Sequence, residues 1–356
     1  MAHPLGVAIL GLGHWYSAFG LARDLYGYPR GRLVGAAWHQ RDQLDEFCAT
    51  FEVEGYDDYD RLLERTDVDI VHLAPPVSEM ADLTIRAAEA GKHIILGKPM
   101  AMTSEEADRM VGAVEQAGVV CVPFQAIMRL RSMTLAERIR RGEIGDVLLL
   151  HQTARWSIAE DWYRSGRPGW FADPRHVPGG ALIDEGIYWF DFARWIVGSP
   201  VAAVDARTAN LVHKDIEVED WGLATFTFEN GVIATLEGSW TINAPGKSGP
   251  SPKQNSVVRT DIVGSKGEII EQWFRDPSRA VLAAGADNWV FEREVSVPVA
   301  PIVPEPLNHL IDCLEGKTTP IATIRDAREA FAAMMAAYES ARERREIRPD
   351  DGGSDG

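Results

Sequence analysis

Cysteine is scarce in this chain of 356 residues, with three widely spaced positions, Cys48, Cys121 and Cys313. That spacing predicts neither a disulfide framework nor a zinc site, so we expect no metal and a reducing compartment. The chain also lacks an apolar run of the roughly 20 residues that a membrane-spanning helix needs, and no charged leader precedes its first apolar segment. We therefore expect a cytoplasmic protein with no membrane partner.

Basic residues are also in the minority, with 36 Lys and Arg against 53 Asp and Glu and a formal net charge of -17. Nucleic-acid binding needs clustered Lys and Arg to neutralise phosphates, so no nucleic-acid partner is expected. The hydrophobic share of 46% and the charged share of 25% are typical of a folded globular protein. The length is sufficient for two domains.

The first part of the chain alternates short apolar runs with helical patterns, which predicts a doubly wound parallel sheet with helices, an α/β Rossmann domain over residues 1–124. Such a sheet binds ligands beyond the carboxyl ends of its strands. The predicted strands are Gly6–Leu10, Leu33–Ala37, Ile70–Ala74 and Lys92–Leu96. A further helix opens at Thr103, with Glu106 at the spacing of a capping box.

From about Val147 the pattern changes to longer β-rich stretches, with hairpin turns such as Glu229-Asn230-Gly231. We expect an α+β domain over residues 125–348 with a large, mostly antiparallel, open-faced sheet and C-terminal helices that pack back on the first domain. Residues 243–255 are predicted to form a mobile loop and residues 349–356 a disordered tail. Because few helices are available to cover the sheet, we expect a homodimer or homotetramer.

A glycine-rich turn, Gly11-Leu12-Gly13-His14-Trp15-Tyr16, follows the first strand and precedes a helix. Small residues there let backbone N–H groups at a helix N-terminus approach a pyrophosphate, so the turn predicts a dinucleotide site. The alternative is a strand–helix turn that binds nothing. The residues predicted to contact the cofactor here are Gly11, Leu12, Gly13, His14 and Trp15.

The second strand ends in Trp38-His39-Gln40-Arg41, without the acidic residue that commonly binds the adenosine ribose of NAD. His39 or Arg41 would suit the 2'-phosphate of NADP, and the adenine base would stack on Trp38. The cofactor is therefore NAD or NADP, with NADP favoured. Alternatively, these are ordinary loop residues.

Gly97-Lys98-Pro99 follows the predicted strand Lys92–Leu96. A lysine at the carboxyl end of a strand points into the ligand crevice, and the proline after it restricts the backbone. Lys98 is one of only seven lysines in the chain. All three residues are predicted to lie at the cofactor site.

Taken together and in this order, the motifs resemble the Gfo/Idh/MocA family of glucose-fructose oxidoreductase and inositol dehydrogenase. Ala74-Pro75 matches the family's Thr-Pro cofactor loop, Ala90 to His93 and Gly97 to Pro99 match its AGKH and Glu-Lys-Pro motifs, and Gly179 to Tyr188 matches its GG-x-x-x-D-x-G-x-H motif. The resemblance covers nearly the whole chain. It implies an NAD(P)-dependent enzyme acting on CH-OH groups and places Ala74 and Pro75 at the cofactor.

Three positions depart from the family pattern. Tyr16 replaces the third glycine of the turn, Gly97 replaces the glutamate before the lysine, and Tyr188 replaces the histidine. The tyrosine resembles the branch with glucose-fructose oxidoreductase and dimeric dihydrodiol dehydrogenase. Glycine at position 97 leaves open which group supports Lys98.

Asp184 and Tyr188 are four residues apart in a predicted helix, Ala181–Ile196, so they share one helix face. Oxidation of an alcohol needs a base for the hydroxyl proton, and a nearby cation such as Lys98 favours the phenolate of a tyrosine. Lys98, Asp184 and Tyr188 are therefore the predicted catalytic residues. The alternative is a helix cap at Asp184 and a packed tyrosine.

A carbohydrate-like substrate is predicted from the aromatic and polar residues near these motifs, since flat aromatic rings stack on sugars and Arg or Asp bind hydroxyls. Each tryptophan fits an interface or a core lid equally well. The predicted substrate-binding residues are Lys98, Gln125, Arg129, Arg155, Trp156, Trp162, Trp170, Asp184 and Tyr188.

The function predicted is hydride transfer between nicotinamide and a hydroxyl-bearing carbon of a sugar, sugar derivative or polyol. Two alternatives stay open. One is a redox-neutral glycosidase or epimerase that retains its NAD, and the other is a nucleotide-sensing regulator without catalysis.

Overall fold

A computed structural model describes residues 4–156, 158, 169–241, 257–273, 277–292 and 304–348. The chain forms two compact units. The first comprises Met1–Ile127, Glu160–Pro178 and Ala300–Arg328, and the second comprises Met128–Ala159, Gly179–Val299 and Glu329–Gly356. Two later segments of the chain therefore belong with the N-terminal unit.

The first unit contains a six-stranded parallel sheet of strand order β3-β2-β1-β4-β5-β6. This is the order of a dinucleotide-binding doubly wound fold, and it confirms the predicted Rossmann-like sheet. The strands are β1 Leu5–Leu10, β2 Gly31–Ala37, β3 Gly55–Tyr56, β4 Ile70–Leu73, β5 His93–Leu96 and β6 Cys121–Pro123. The helices are α1 Trp15–Asp24, α2 Arg41–Phe51, α3 Tyr59–Leu63, α4 Val77–Glu89, α5 Ser104–Ala117 and α9 Pro304–Leu314.

The central strands of this sheet are apolar at nearly every position because helices cover both faces. All four residues of β4 are buried. The capping pattern predicted at Thr103 is present, since Thr103 Oγ1 accepts a hydrogen bond from Glu106 N over 3.2 Å. Glu106 Oε2 in turn accepts one from Met102 N over 2.9 Å, which fixes the start of α5.

The second unit is built on an eight-stranded sheet of order β14-β13-β12-β11-β7-β10-β9-β8. Its pairs are antiparallel apart from β7 with β10, so the predicted mostly antiparallel sheet is confirmed. The strands are β7 Val147–Arg155, β8 Val201–Ala209, β9 Trp221–Phe228, β10 Ile233–Ser239, β11 Val257–Gly264, β12 Glu268–Trp273, β13 Arg279–Leu282 and β14 Val290–Glu292. The remaining helices are α6 Ala126–Arg131, α7 Met133–Arg140, α8 Ala181–Val197 and α10 Ile324–Glu343.

Helix α8 packs on one face of this sheet at two glycines. A Cβ at Gly222 would lie 2.7 Å from Leu182 Cβ, and a Cβ at Gly238 would lie 2.6 Å from the Ala181 carbonyl oxygen. The side chains of Leu223 and Ile233 lie on the opposite face and are 38% and 37% exposed. We call that face the open sheet face.

The β-rich pattern of the sequence predicts a strand over Val201–Val212, but β8 ends at Ala209. The N–H groups of Leu211, Val212 and His213 donate to the buried carboxylate of Asp220 over 2.6 to 2.7 Å instead of extending the ladder.

The predicted loop 243–255 and tail 349–356 lie outside the described residues. Within the described part of the chain, no helix is long and apolar enough to cross a membrane, and no group of three or more His, Cys, Asp or Glu residues is placed to hold a metal ion.

Candidate functional site

The glycine-rich turn joins β1 to α1 at the carboxyl end of the parallel sheet. Gly11 has φ +84°, and a Cβ there would lie 2.5 Å from Pro75 N. A Cβ on Gly13 would lie 2.8 Å from Pro76 Cδ. Both positions therefore require glycine, and the structure brings the turn together with the predicted Ala74-Pro75 loop, whose Ala74 carbonyl accepts from His14 N over 2.8 Å.

The N-terminus of α1 lies directly after this turn, so it presents backbone N–H groups as an anion site does. The Leu12 side chain is fully buried, which leaves only its backbone for a ligand. Two buried donors beyond strand ends, Trp15 Nε1 and Gln125 Nε2, have no hydrogen-bond partner in the described part of the chain. A glycine cradle with orphaned donors fits a polar ligand such as a dinucleotide.

The residues after β2 are placed differently from the prediction. The Trp38 ring is 1% exposed and its Nε1 donates to Gln43 Oε1 over 2.8 Å, so this indole belongs to the core and is badly placed to stack on adenine. His39 covers it, with ring centroids 4.0 Å apart. The ring exposed at this position is that of His39, which is half-exposed.

An acidic side chain lies close to each of the two basic residues after β2, His39 and Arg41. His39 Nδ1 lies 3.8 Å from Glu79 Oε2, in the first turn of α4. Arg41 lies 3.1 Å from an oxygen of Asp45 and 3.9 Å from one of Asp57. Strand β2 is not followed by the acidic residue that commonly binds the adenosine ribose. Acidic groups from other parts of the chain nevertheless lie beside His39 and Arg41 in the folded structure.

Lys98 follows β5 and is 4% exposed. It lines a small pocket together with His14, Tyr16, Ser17, His72, Gly97 and Phe124. The pocket volume is about 10 Å³, close to the minimum that one water molecule needs. The Lys98-Pro99 peptide is cis. The structure thus places the predicted lysine beside the predicted glycine turn.

Burial favours the neutral form of two histidines in this pocket. Burial, followed by the positive charge of Lys98, lowers the pKa of His14 well below its ordinary value. Burial lowers the pKa of His72 to about 4. Ser17 Oγ donates to the His14 carbonyl over 3.0 Å, so His72 Nε2, 3.1 Å from Ser17 Oγ, is the donor in that contact.

The segment after Gly169 also belongs to the first unit. Trp170 Nε1 donates to the Gly13 carbonyl over 3.0 Å, and its ring lies 5.1 Å from that of His14. Ser78 N donates to the His176 carbonyl over 3.3 Å. Trp170, a predicted substrate residue, therefore contacts the glycine turn.

In the second unit, Gly179 and Gly180 precede α8. Both positions are glycine because neighbouring groups leave no room for side chains. A Cβ at Gly179 would lie 2.2 Å from Tyr338 Oη, and one at Gly180 would lie 2.0 Å from the Glu219 carbonyl oxygen. The Glu219 carboxylate accepts from Gly180 N and Leu182 N, each over 2.9 Å, and from Tyr338 Oη over 2.7 Å. Burial raises the pKa of Glu219, against the effect of these donors.

The capping role that was the alternative for Asp184 is thus filled by Glu219. Asp184 and Tyr188 lie in α8 one turn apart and are both partly exposed. Trp240 Nε1 donates to Asp184 Oδ2 over 3.0 Å, and Trp240 is 3% exposed. A buried indole therefore orients one oxygen of the predicted catalytic carboxylate.

Other predicted substrate residues lie elsewhere in the second unit. Arg129 is buried and donates to both oxygens of the fully buried Asp191 over 2.7 and 2.6 Å. Arg155 pairs with Glu237 on the open sheet face, opposite α8. The structure therefore does not bring Arg155 to Asp184 and Tyr188. Trp156 is half-buried after β7, and Trp162 lies outside the described residues.

Two sets of residues near the predicted site residues were not predicted from the sequence. His72, Ser17 and Phe124 line the Lys98 pocket, and Glu219, Tyr338 and Trp240 hold the start of α8 and Asp184. A histidine inside the otherwise apolar strand β4 was the one visible sign of the first set. The second set lies 35 or more residues from its partners, so no local pattern reveals it.

Comparison with known proteins agrees with this geometry. Residues 5–124 match the Gfo/Idh/MocA family model described as an oxidoreductase family with an NAD-binding Rossmann fold, and residues 132–270 match the model of the GFO/IDH/MocA C-terminal domain. The chain belongs to the Gfo/Idh/MocA oxidoreductase family. The family predicted from the motifs is therefore confirmed.

Several members of this family with named activities are similar along most of the chain. A scyllo-inositol 2-dehydrogenase (NAD(+)) of Bacillus subtilis is 26% identical over 349 residues, which is 96% of this chain and 95% of that protein. A levoglucosan dehydrogenase of Pseudarthrobacter phenanthrenivorans is 28% identical over 273 residues, covering 68% of this chain and 66% of that protein.

Solved structures show the same fold. Levoglucosan dehydrogenase in complex with NADH and L-sorbose superposes with a TM-score of 0.81 at 23% identity, covering 98% of this chain and 99% of that chain. The aldose-aldose oxidoreductase of Caulobacter crescentus in complex with glycerol has a TM-score of 0.79 at 24% identity, with 97% of this chain and 100% of that chain covered.

Proposed function

We propose that this Gfo/Idh/MocA protein is a dehydrogenase or reductase that transfers a hydride between a nicotinamide dinucleotide and a hydroxyl-bearing carbon of a sugar, sugar derivative or polyol. The observation that carries the proposal is the burial of Lys98 beside the glycine turn, at the carboxyl end of the parallel sheet. The names of the relatives, which include inositol and sugar dehydrogenases, support the substrate class.

The glycine turn, the Ala74-Pro75 loop and Gly97 to Pro99 would hold the dinucleotide. Gly11 and Gly13 let the turn approach Pro75 and Pro76 closely, and the backbone N–H groups at the start of α1 would bind the phosphates. The orphaned Gln125 Nε2 offers a donor to a carbonyl group of the cofactor or substrate. When bound, the nicotinamide supplies the hydride acceptor or donor.

The protein's own task is to move the hydroxyl proton. We propose that Tyr188 exchanges this proton and that Lys98 favours the phenolate form by its positive charge. An unperturbed tyrosine pKa of about 10 makes the neutral phenol a weak base at neutral pH, so the cation is needed. Asp184, held by Trp240, would orient a substrate hydroxyl.

We propose NAD as the preferred cofactor, which reverses the expectation from the second strand. Glu79 lies beside His39, and Asp45 and Asp57 lie beside Arg41. A 2'-phosphate bound by His39 or Arg41 would therefore be repelled by nearby carboxylates. The Bacillus subtilis relative is named for NAD(+). Calorimetry should give a lower Kd for NAD than for NADP, and Glu79→Gln should reduce that difference. Tighter binding of NADP would overturn the preference.

We also propose a homodimer or homotetramer formed through the open sheet face. Leu223 and Ile233 are exposed on this face, and Arg155 with Glu237 lies among them. Exposed apolar side chains on a broad sheet favour burial by a second copy. A cytoplasmic location is supported by the three cysteines, all of which are free thiols.

The proposed function is tested by calorimetry with NAD and NADP, followed by a screen of sugars, polyols and dihydrodiols. Nicotinamide absorbance and product mass are followed together. We expect dinucleotide binding that Gly13→Asp abolishes, and an absorbance change with at least one polyhydroxylated compound. Retained nucleotide with changed product mass and no absorbance change would favour a redox-neutral enzyme instead. Absence of nucleotide binding would contradict the proposal.

A further inference from the structure

Glu79 lies in the first turn of α4, shortly after the Ala74-Pro75 loop. Helix α4 begins at the edge of the parallel sheet where the carboxyl ends of the strands lie. Side chains in a helix lean towards its N-terminus, so the Glu79 side chain points towards this edge. The side chain is 32% exposed. A carboxylate that a ligand can reach therefore lies at the edge that also carries the glycine turn.

The Glu79 carboxylate connects the two loops on either side of the glycine turn. The strand order β2-β1-β4 places the end of β1 between the ends of β2 and β4. Gly11 N donates to the Ala37 carbonyl, at the end of β2, over 2.9 Å. Glu79 Oε2 lies 3.8 Å from Nδ1 of His39, two residues beyond Ala37. An acid from α4 thus reaches the loop where the ribose-binding acid of NAD-binding folds usually lies.

One oxygen of this carboxylate already has a protein partner. Tyr59 Oη donates to Glu79 Oε2 over 3.2 Å, and the guanidinium carbon of Arg86 lies 5.9 Å from the centre of the Tyr59 ring. Among the described residues, Glu79 Oε1 has no hydrogen bond or ion pair. The carboxylate is thus held through one oxygen, and the other can accept a hydrogen bond from a ligand.

A hydroxyl group suits this oxygen better than a phosphate does. A carboxylate only accepts hydrogen bonds, so its ligand has to donate one. The adenosine ribose of NAD has a 2'-hydroxyl that can donate, whereas the 2'-phosphate of NADP is negative and is repelled. The carboxylates of Asp45 and Asp57, near Arg41, add negative charge to the same side of the site. These groups favour a ribose with a free 2'-hydroxyl.

We propose that Glu79 accepts a hydrogen bond from the 2'-hydroxyl of the adenosine ribose and so replaces the acidic residue that is absent after β2. Tyr59 is a positioning residue, because it holds the carboxylate through Oε2 and leaves Oε1 to the ligand. This role rests on the proposed function, because it requires a bound dinucleotide. Glu79 then determines cofactor specificity by a hydrogen bond to NAD as well as by repulsion of NADP.

The test compares NAD with its 2'-deoxyadenosine analogue by calorimetry of the full chain. We expect the wild type to bind NAD about tenfold to 100-fold more tightly, the range for a hydrogen bond to a charged group. In Glu79→Ala the two Kd values should lie within about threefold of each other, with the Kd of the analogue almost unchanged. Glu79→Gln keeps an uncharged acceptor and should give an intermediate ratio. An unchanged ratio in Glu79→Ala would overturn the proposal.

Tyr59→Phe tests the positioning role. It keeps the ring beside Arg86 and removes the hydroxyl that holds Glu79 Oε2. We expect the ratio of the two Kd values to fall at least about threefold. In a Glu79→Ala background, Tyr59→Phe should not change the ratio further, because it acts through the carboxylate. An unchanged ratio in Tyr59→Phe, or a further fall in the double variant, would reject the positioning role.

Asp82 provides a matched control on the same helix. It pairs with Arg86 over 3.0 Å and its side chain is 70% exposed, so Asp82→Ala removes the same charge about one turn from Glu79. We expect the ratio of the two Kd values to stay within about twofold of the wild-type ratio, because an exposed charge without a hydrogen bond to the ligand contributes little. Equal effects of Asp82→Ala and Glu79→Ala would show that charge alone matters and would overturn the proposal.

The outcomes separate this role from the proposed function. Nucleotide binding with a ratio that depends on Glu79, but with no hydride transfer to any compound of the screen, would support the ribose contact and reject the proposed function. Dinucleotide binding and turnover, with a ratio that is unchanged in Glu79→Ala, would reject the ribose contact alone. A wild-type protein that binds neither nucleotide would reject both.

Discussion

The indole Nε1 of Trp240 donates a hydrogen bond to Asp184 Oδ2 over 3.0 Å. Trp240→Phe keeps an aromatic ring and removes this donor. We expect kcat/KM for the sugar substrate to fall about tenfold or more, since a hydrogen bond to a charged group contributes about 1.5 to 3 kcal/mol. The Kd of the nucleotide should stay within about twofold.

Trp221 serves as the control for this prediction, because its Nε1 donates to another carboxylate, Glu237 Oε1, over 3.0 Å on the open sheet face. Trp221→Phe should change kcat/KM by less than about threefold. Equal effects of the two substitutions would show that the bond to Asp184 has no special part in the reaction.

His72 makes stability depend on pH in the acid range. Burial lowers its pKa to about 4 from an ordinary value near 6.5, so between these pH values the unfolded protein binds the proton and the folded protein does not. The free energy of unfolding therefore falls by about 3 kcal/mol as pH falls from about 6.5 to about 4.

Urea unfolding of wild type and His72→Asn at several pH values tests this. The difference in free energy of unfolding between the two proteins should shrink by about 3 kcal/mol from pH 7 to pH 4, because only the wild type must protonate a buried imidazole. A difference that stays constant over this range would be at odds with a buried neutral His72.

The open sheet face is expected to form the contact between copies of the chain. Leu223→Asp with Ile233→Asp places two charges on this face and should convert the oligomer to smaller species in sedimentation experiments. Tyr26→Asp, at a residue that is 94% exposed in the first unit, should leave the oligomer unchanged. A wild-type protein that stays monomeric at micromolar concentration would refute the expectation.

Local patterns were sufficient to predict the parallel sheet of the first unit and the turn and lysine that follow its strands. A strand, a glycine turn and a helix follow one another directly in Gly6 to Leu25, and the lysine follows its strand without interruption at Lys98. Each prediction depended on residues within a few positions of one another. The folded structure then brings the turn and the lysine into one pocket.

Long-range partners account for what the sequence did not reveal. The ion pair between Arg129 and Asp191 was not predicted, because the two residues are 62 positions apart. Trp38 follows a strand like a ligand residue, but a bond to Gln43 and a covering His39 make it part of the core. Glu219, which caps α8 across 37 and 39 positions, had no visible pattern at all.

Turnover of Tyr188→Phe, measured under conditions where hydride transfer limits the rate, decides whether Tyr188 exchanges the substrate proton. The substitution keeps the ring and deletes the hydroxyl. We predict a loss of about 100-fold to 10,000-fold in kcat, the usual range for general acid–base catalysis, with nucleotide affinity nearly unchanged. Wild-type turnover in Tyr188→Phe would show that the proton leaves through another group and not through Tyr188.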